Sequence, residues 1–214
     1  MCGQVPIASA DPLSSTSLNI TWSPPSLDRV YVYQISYSLL TDPSTVLVQS
    51  NWMSSTWYIV SGLYVGIPYN FTIGVVANAS SNTRGHACAQ RNTTSLMFAT
   101  NETVPQAAPV IVTWMPLNSS CVVVSWAEIP LNASGGIITW YTLLYSRSNS
   151  PLQARSNPGI ESGVYKVTVS ANTSCILSIP EIAIWYDVSV CGNTGAGRGP
   201  CSAMVAVATT AAGA

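Results

Sequence analysis

Residues 17–25 read SLNITWSPP, and this short stretch decides how the rest of the chain is interpreted. Apolar residues alternate with polar ones up to Trp22, which is typical of a strand with one face buried. Two prolines then end the strand, because proline cannot donate a hydrogen bond to a neighbouring strand. The stretch also contains Asn19-Ile-Thr21, an acceptor sequence for an N-linked glycan, on the face opposite Trp22. It therefore predicts a half-buried strand that carries a sugar on its solvent face.

A second stretch repeats this arrangement around Asn70. In YNFTIGV, which begins at Tyr69, the apolar residues face inward while Asn70 and Thr72 face solvent. The chain contains eight Asn-x-Ser/Thr sequences, and those outside these two strands are expected in linker, loop or turn positions. Their asparagines are Asn19, Asn70, Asn78, Asn92, Asn101, Asn118, Asn132 and Asn172. We expect at least about half of them to carry glycans, which would hydrate the surface.

The chain is unusually poor in charge. Only 7% of its 214 residues are charged, 48% are hydrophobic, and Lys166 is the only lysine. This balance argues against nucleic-acid binding and against a polybasic membrane-surface patch, since both need clustered Lys and Arg. No apolar run approaches the roughly 20 residues of a spanning helix. Short apolar runs broken by Ser, Thr, Asn, Gly and Pro instead predict an all-β protein.

The cysteine count indicates an oxidising compartment. Six cysteines with no Cys-x-x-Cys spacing, beside the single histidine His86, favour disulfides over a metal site. These cysteines are Cys2, Cys88, Cys121, Cys175, Cys191 and Cys201. Together with the glycan acceptors they predict a secreted, extracellular protein. Because MCGQVPIASA lacks the features of a signal peptide, we expect a mature form or a segment of a longer precursor.

The sequence repeats itself at the scale of a domain. Trp22 and Trp126 lie at the ends of similar strands, and they are 126 − 22 = 104 residues apart. Between the copies lies ATNETVPQAAP, which is polar and then broken by proline. We therefore predict domain 1 at residues 1–100, a linker at 101–106 and domain 2 at 107–214. Each copy holds short alternating segments separated by turn residues, which predicts two tandem antiparallel β-sandwiches.

Each copy resembles a fibronectin type III domain. Both copies have a Trp before a proline-containing turn, then Tyr-x-apolar-x-Tyr, then an apolar residue followed by a Tyr that heads alternating apolar residues. The residues that carry the resemblance are Trp22, Tyr33, Tyr37, Leu63 and Tyr69 in the first copy and Trp126, Tyr141, Tyr145, Ile179 and Tyr186 in the second. The resemblance implies an immunoglobulin-like sandwich in which these aromatic residues fill the core. The cysteines and the scarcity of charge depart from that family.

Six cysteines permit 15 disulfide pairings, and the fold implied by the resemblance favours three of them. One staples the hairpin loop NTGAGRGP, a second joins neighbouring strands of the second copy, and a third closes the remaining two cysteines. These pairs are Cys191–Cys201, Cys121–Cys175 and Cys2–Cys88. The alternative for Cys2, which lies near a chain end, is a bridge to another subunit.

No catalytic, cofactor-binding or metal-binding residues are predicted. His86 lies in a loop without an acidic neighbour, and the eight acidic residues are scattered. The Gly-rich NTGAGRGPC lacks the Lys-Ser/Thr ending of a phosphate-binding loop. Arg198-Gly199 has no following Asp, which argues against integrin recognition of the fibronectin kind.

Two functions remain, and neither is enzymatic. We favour a structural glycoprotein that self-associates into a filament or matrix, because sparse charge does not keep copies apart and tandem domains suit open-ended contacts. Outward glycans would then limit lateral aggregation, and edge strands would pair with a neighbouring chain. The alternative is a receptor or adhesion ectodomain that binds a protein partner through its loops. No nucleic acid, cofactor or membrane-spanning segment is expected in either case.

Overall fold

The protein is all-β. The structure, a computed structural model, describes residues 7–25, 30–77, 91–92, 96–148, 163–181 and 184–209. Every regular element in these ranges is a β-strand, and all strand pairs are antiparallel. The chain divides into two compact units, Met1–Glu102 and Thr103–Ala214. The predicted fold class of two antiparallel β-sandwiches is confirmed.

The first unit contains two sheets packed around one core. Its strands are β1 (Ile7–Ser14), β2 (Ser17–Trp22), β3 (Tyr31–Leu39), β4 (Asp42–Gln49), β5 (Trp57–Ser61), β6 (Pro68–Ala77), β7 (Arg91–Asn92) and β8 (Leu96–Ala99). One sheet has the order β1-β2-β5, and the other has the order β4-β3-β6 with β7 and β8 both paired to β6. Apolar side chains from both sheets form the core, as the alternating sequence predicts.

The second unit repeats this strand order. Its strands are β9 (Val110–Pro116), β10 (Cys121–Ala127), β11 (Trp140–Arg147), β12 (Tyr165–Ser170), β13 (Ser174–Ser178), β14 (Trp185–Thr194), β15 (Gly197–Cys201) and β16 (Val205–Ala208). The three-stranded sheet is β13-β10-β9, and the other sheet is β12-β11-β14 with β15 and β16 both paired to β14. Each sheet therefore has a direct counterpart in the first unit.

Aromatic packing is repeated with nearly the same geometry. The rings of Trp22 and Tyr33 lie 5.4 Å apart at 66°, and those of Trp126 and Tyr141 lie 5.3 Å apart at 65°. Edge-to-face contact of this kind adds to the burial of two large rings. The predicted role of these tryptophans and tyrosines in the core is confirmed, since all four are buried.

The corner tyrosine of the first unit also behaves as expected. The hydroxyl of Tyr69 accepts a hydrogen bond of 2.8 Å from the backbone N–H of Tyr64, five residues upstream. This contact holds the turn before β6 against the core. The segment upstream of Tyr186 includes residues 182–183, which lie outside the described residues.

Residues 103–107, here called the connecting segment, belong to the second unit and pack against its loops. The N–H of Thr103 donates to the carbonyl of Gly135 at 2.8 Å, and the N–H of Gln106 donates to the carbonyl of Ala133 at 2.9 Å. The Thr194 hydroxyl donates to the Thr103 carbonyl at 2.7 Å. Most of the expected linker at 101–106 therefore lies against the second unit. Backbone amides and carbonyls that find partners in this way no longer need solvent.

Burial of the aromatic core predicts a loss of stability in alkali. Desolvation, the leading cause, raises the pKa of Tyr33, Tyr37, Tyr69, Tyr141, Tyr145 and Tyr186 above the ordinary value. Above pH of about 10 the unfolded chain therefore releases tyrosine protons that the folded chain retains. The resulting stability is complete below about pH 10, and it falls as pH rises through the higher pKa values of the folded state.

We expect the free energy of unfolding to be flat between about pH 8 and 9 and to decrease beyond about pH 10. Urea unfolding followed by far-ultraviolet circular dichroism, with free thiols alkylated beforehand, measures this profile. Tyr186→Phe removes one of the tyrosines with a raised pKa. Above about pH 10 its free energy of unfolding should therefore decrease less steeply with pH than that of the parent protein. Equal slopes for the two proteins would show that buried tyrosine is not the cause.

Candidate binding surfaces and glycan acceptors

The three-stranded sheet of the second unit presents an apolar row to solvent. Val123, in the central strand β10, pairs with Met115 of β9 on one side and with Ile176 of β13 on the other. Their neighbours Val122 and Val124 are fully buried, so this row faces away from the core. Met115 is 56% exposed and Ile176 is 58% exposed. We call Met115, Val123 and Ile176 the apolar row.

Charge is absent from the strands that carry the apolar row. The sequences of β9, β10 and β13 are VIVTWMP, CVVVSWA and SCILS, and none of them contains Asp, Glu, Lys or Arg. Val110 and Val112 of β9 are also exposed. Exposed apolar patches of this kind usually mark a contact surface in a soluble protein.

The equivalent row of the first unit has a different character. Asn19, in the central strand β2, pairs with Asp11 of β1 and with Ile59 of β5. Because Trp22 and Trp126 occupy equivalent positions, Asn19 corresponds to Val123 in the repeat. A charged residue and a glycan acceptor thus replace two of the three apolar side chains. The two units therefore present different surfaces on the same scaffold.

Loops at one end of the second unit are covered by the connecting segment. A Cβ placed on Gly135 would lie 2.5 Å from the carbonyl oxygen of Val104, and one on Gly199 would lie 2.6 Å from the Pro105 Cβ. Both positions thus need glycine, since a side chain would collide with the segment. The loop 128–139 and the hairpin between β14 and β15 therefore pack against the connecting segment. This contact was not predicted from the sequence, although Gly-Gly at 135–136 and the Gly-rich hairpin are signals of close backbone approach.

The glycan acceptors fall in two structural settings. Asn101, Asn118, Asn132 and Asn172 are exposed and lie outside strands. Asn19 and Asn70 are half-buried on the outward faces of β2 and β6, in agreement with the alternation of their sequences. Asn92, expected in a loop or turn, lies in β7, and Asn78 is outside the described residues. Occupancy of all eight sites stays a prediction.

Asn19 has an unusual environment for an exposed sheet face. Its Oδ1 atom is shielded from solvent and has no hydrogen-bond partner among the described residues. The neighbouring Thr21 hydroxyl lies 2.9 Å from that of Ser9, so this hydroxyl pair is satisfied. A shielded acceptor without a donor is uncommon in folded proteins.

One predicted disulfide is present in the structure. Cys191 of β14 and Cys201 of β15 are directly paired across the hairpin, and their sulfur atoms are bonded. The bridge closes the Gly-rich hairpin at its base. Cys2 and Cys88 lie outside the described residues, so the pairing suggested for them stays a prediction.

The expected Cys121–Cys175 bridge is wrong. Both thiols are free, although β10 and β13 are neighbouring strands as predicted. Cys121 pairs with Ser178 while Cys175 pairs with Val124, so the two cysteines are three positions apart in register. An odd offset places their side chains on opposite faces of the sheet. Burial on the inner side raises the pKa of the Cys175 thiol, and its Sγ donates to the carbonyl of Ile176 at 3.4 Å.

In the described ranges no three His, Cys, Asp or Glu residues come close enough together to bind a metal ion. No helix of the described part is long and apolar enough to cross a bilayer. His86, the histidine considered above, lies outside the described residues.

Comparisons with known proteins agree with the architecture. Residues 5–89 match the family model of the fibronectin type III domain. The chain is 32% identical to phosphatidylinositol phosphatase PTPRQ of Rattus norvegicus over 139 residues, which are 64% of this chain and 6% of that protein. It is 26% identical to receptor-type tyrosine-protein phosphatase F of Danio rerio over 194 residues, 91% of this chain and 9% of that protein. The chain thus spans less than a tenth of the length of each relative.

Proposed function

We propose that the chain serves as a non-catalytic extracellular module of the adhesion or receptor-like class, since residues 5–89 match the fibronectin type III model and the second unit repeats the strand order of the first. A relative that is itself named receptor-type supports this class. The eight glycan acceptor sequences and the Cys191–Cys201 bridge support an extracellular location. Phosphatase activity is not transferred, because the matched segment is a small part of each relative.

The apolar row is the observation that carries the proposal. An uncharged, exposed strip across Met115, Val123 and Ile176 suits a protein partner whose contacting surface is also apolar, because a charged partner would bury unpaired charge. Loops of the second unit that would otherwise compete as a binding surface already hold the connecting segment. We therefore propose partner binding through the sheet face, in place of the loop-mediated binding that was the alternative from the sequence.

Self-association remains a second candidate, since one apolar row is complementary to another. The full chain carries a formal net charge of −1, which gives little electrostatic repulsion between copies. A contact that repeats without closing would build the filament considered from the sequence. Both candidates use the same residues, so one set of variants tests them together.

We expect Met115→Asp combined with Ile176→Asp to reduce binding at least tenfold, because each introduces a charge into the contact. Beads coated with the protein are mixed with one another and, separately, with cells. Bead clustering reports self-association, and bead attachment to cells reports a different partner. Val164→Asp is the matched control, since Val164 is 69% exposed in the same unit but lies outside β9, β10 and β13.

Attachment to cells that is lost in the double variant and retained in Val164→Asp supports the adhesion role. Bead clustering that is lost in the double variant and retained in Val164→Asp, together with polymers in electron micrographs, supports the filament instead. If neither measurement differs between the double variant and the control, the apolar row is not a binding surface.

A further inference from the structure

The first unit exposes its own apolar side chains beside the sugar acceptor Asn19. Trp57 and Ile59 lie on the edge strand β5 and are 54% and 47% exposed. Ile59 pairs directly with Asn19, and Trp57 pairs directly with Thr21, the third residue of the acceptor sequence. We propose that an N-glycan on Asn19 lies over Ile59 and Trp57 and completes the outer face of this sheet. This goes beyond the proposed adhesion role and depends on it only for passage through a secretory pathway.

Register places the first sugar where it contacts both side chains. Directly paired residues have Cβ atoms about 4.5–5.5 Å apart, and diagonal neighbours are about 7–8 Å apart. A sugar on Asn19 therefore begins beside Ile59 and lies diagonally across from the Trp57 indole, which is two residues along β5. A pyranose has an apolar C–H face, which suits the electron-rich face of an indole ring. Its hydroxyl edge is then free to meet Asp11 on the opposite side.

Comparison of the two units shows that the tryptophan accompanies the acceptor. In the second unit Val123 replaces Asn19 and Ser125 replaces Thr21, which removes the acceptor sequence. The residue paired with Ser125 is Ser174, at the position that Trp57 occupies in the first unit. The isoleucine is retained as Ile176. Trp57 is thus present in the copy that has an acceptor and absent from the copy that lacks one.

A double-mutant cycle on the full chain tests the proposal. The parent protein, Asn19→Gln, Trp57→Ser and the double variant are secreted from a eukaryotic host behind an added signal peptide. Peptide mass spectrometry measures occupancy at Asn19, and calorimetry measures Tm. Trp57→Ser introduces the residue that the second unit has at this position, so it is compatible with the strand. Asn172→Gln is the control, because Asn172 is exposed outside the strands.

We expect Asn19→Gln to lower Tm by about 4–8 °C in the parent and by much less in the Trp57→Ser background. Trimming all glycans to one sugar with an endoglycosidase should retain most of the stabilisation. An amidase that removes the whole glycan supplies the comparison if Asn19→Gln is not secreted. Protons of that sugar should show upfield ring-current shifts that Trp57→Ser removes. Asn172→Gln should leave Tm unchanged.

An unoccupied Asn19, or a Tm loss equal in both backgrounds, overturns the proposal. A coupled effect in a protein that neither clusters beads nor binds cells would leave the glycan contact intact and overturn the adhesion role alone. Binding to cells without a coupled effect on Tm would retain the adhesion role and overturn the glycan contact.

Discussion

Replacing Gly135 with alanine is expected to lower the free energy of unfolding of the second unit by about 2–4 kcal/mol. Gly135 has φ of +69°, a conformation that a residue with a Cβ adopts at a cost of about 1–2 kcal/mol. The added Cβ would also lie 2.5 Å from the Val104 carbonyl oxygen and 2.7 Å from that of Thr103. These are backbone atoms, so the connecting segment has to move and its hydrogen bonds to Gly135 and Ala133 are lost.

Gly62→Ala is the matched control for this prediction. Gly62 has φ of +76°, but nothing lies within 4 Å of the position of a Cβ. It therefore reports the conformational cost alone, about 1–2 kcal/mol. Urea unfolding measures both variants, and hydrogen exchange of the Thr103 and Gln106 amides reports detachment of the segment. Equal losses of stability with retained amide protection would contradict the close contact at Gly135.

Removing the Cys191–Cys201 disulfide is expected to have an effect of similar size. The cysteines are 10 residues apart, and the loop-entropy relation assigns about 2.7 kcal/mol to a loop of this length. For a domain of this size that corresponds to a fall in Tm of about 10–20 °C. The pair Cys191→Ala and Cys201→Ala removes the bond without placing a hydroxyl at Cys191, which is fully buried.

Cys121→Ala provides the comparison for the disulfide variant. Cys121 is a free thiol on the outward side of the neighbouring sheet, so its loss should leave Tm nearly unchanged. Calorimetry of the three proteins under non-reducing conditions makes the measurement. A fall of less than about 3 °C in the double variant would show that β14 and β15 are held mainly by their backbone pairing.

Much of the fold could be predicted because the information is local. Alternation around Trp22 and Tyr69 identifies inward and outward residues, and in the structure β2 and residues 69–73 of β6 obey it. The repeated Trp–Tyr pairs were likewise recognisable, since the side chains that fill the space between the sheets must be large and apolar. Cys191 and Cys201 flank one short hairpin, so their approach needed no knowledge of distant strands.

Contacts between strands were harder to predict. Cys121 and Cys175 were correctly assigned to neighbouring strands, yet a register offset of three positions separates their side chains. The apolar row could not be predicted for the same reason. Met115, Val123 and Ile176 lie far apart in sequence and come together only through strand register. The connecting segment resembled a polar linker, although its backbone finds partners in loop 128–139.

The sequence by itself determined that this protein is a pair of β-sandwiches and that Asn19 faces away from the core. Only the tertiary structure decided what lies next to Asn19, namely Ile59 and, two residues along β5, Trp57. The physical reason is that side-chain alternation has a period of two and is written in each strand, whereas register depends on turns, bulges and burial of a whole sheet. For that reason the sugar acceptor was visible in SLNITW, and the surface proposed to receive its sugar was not.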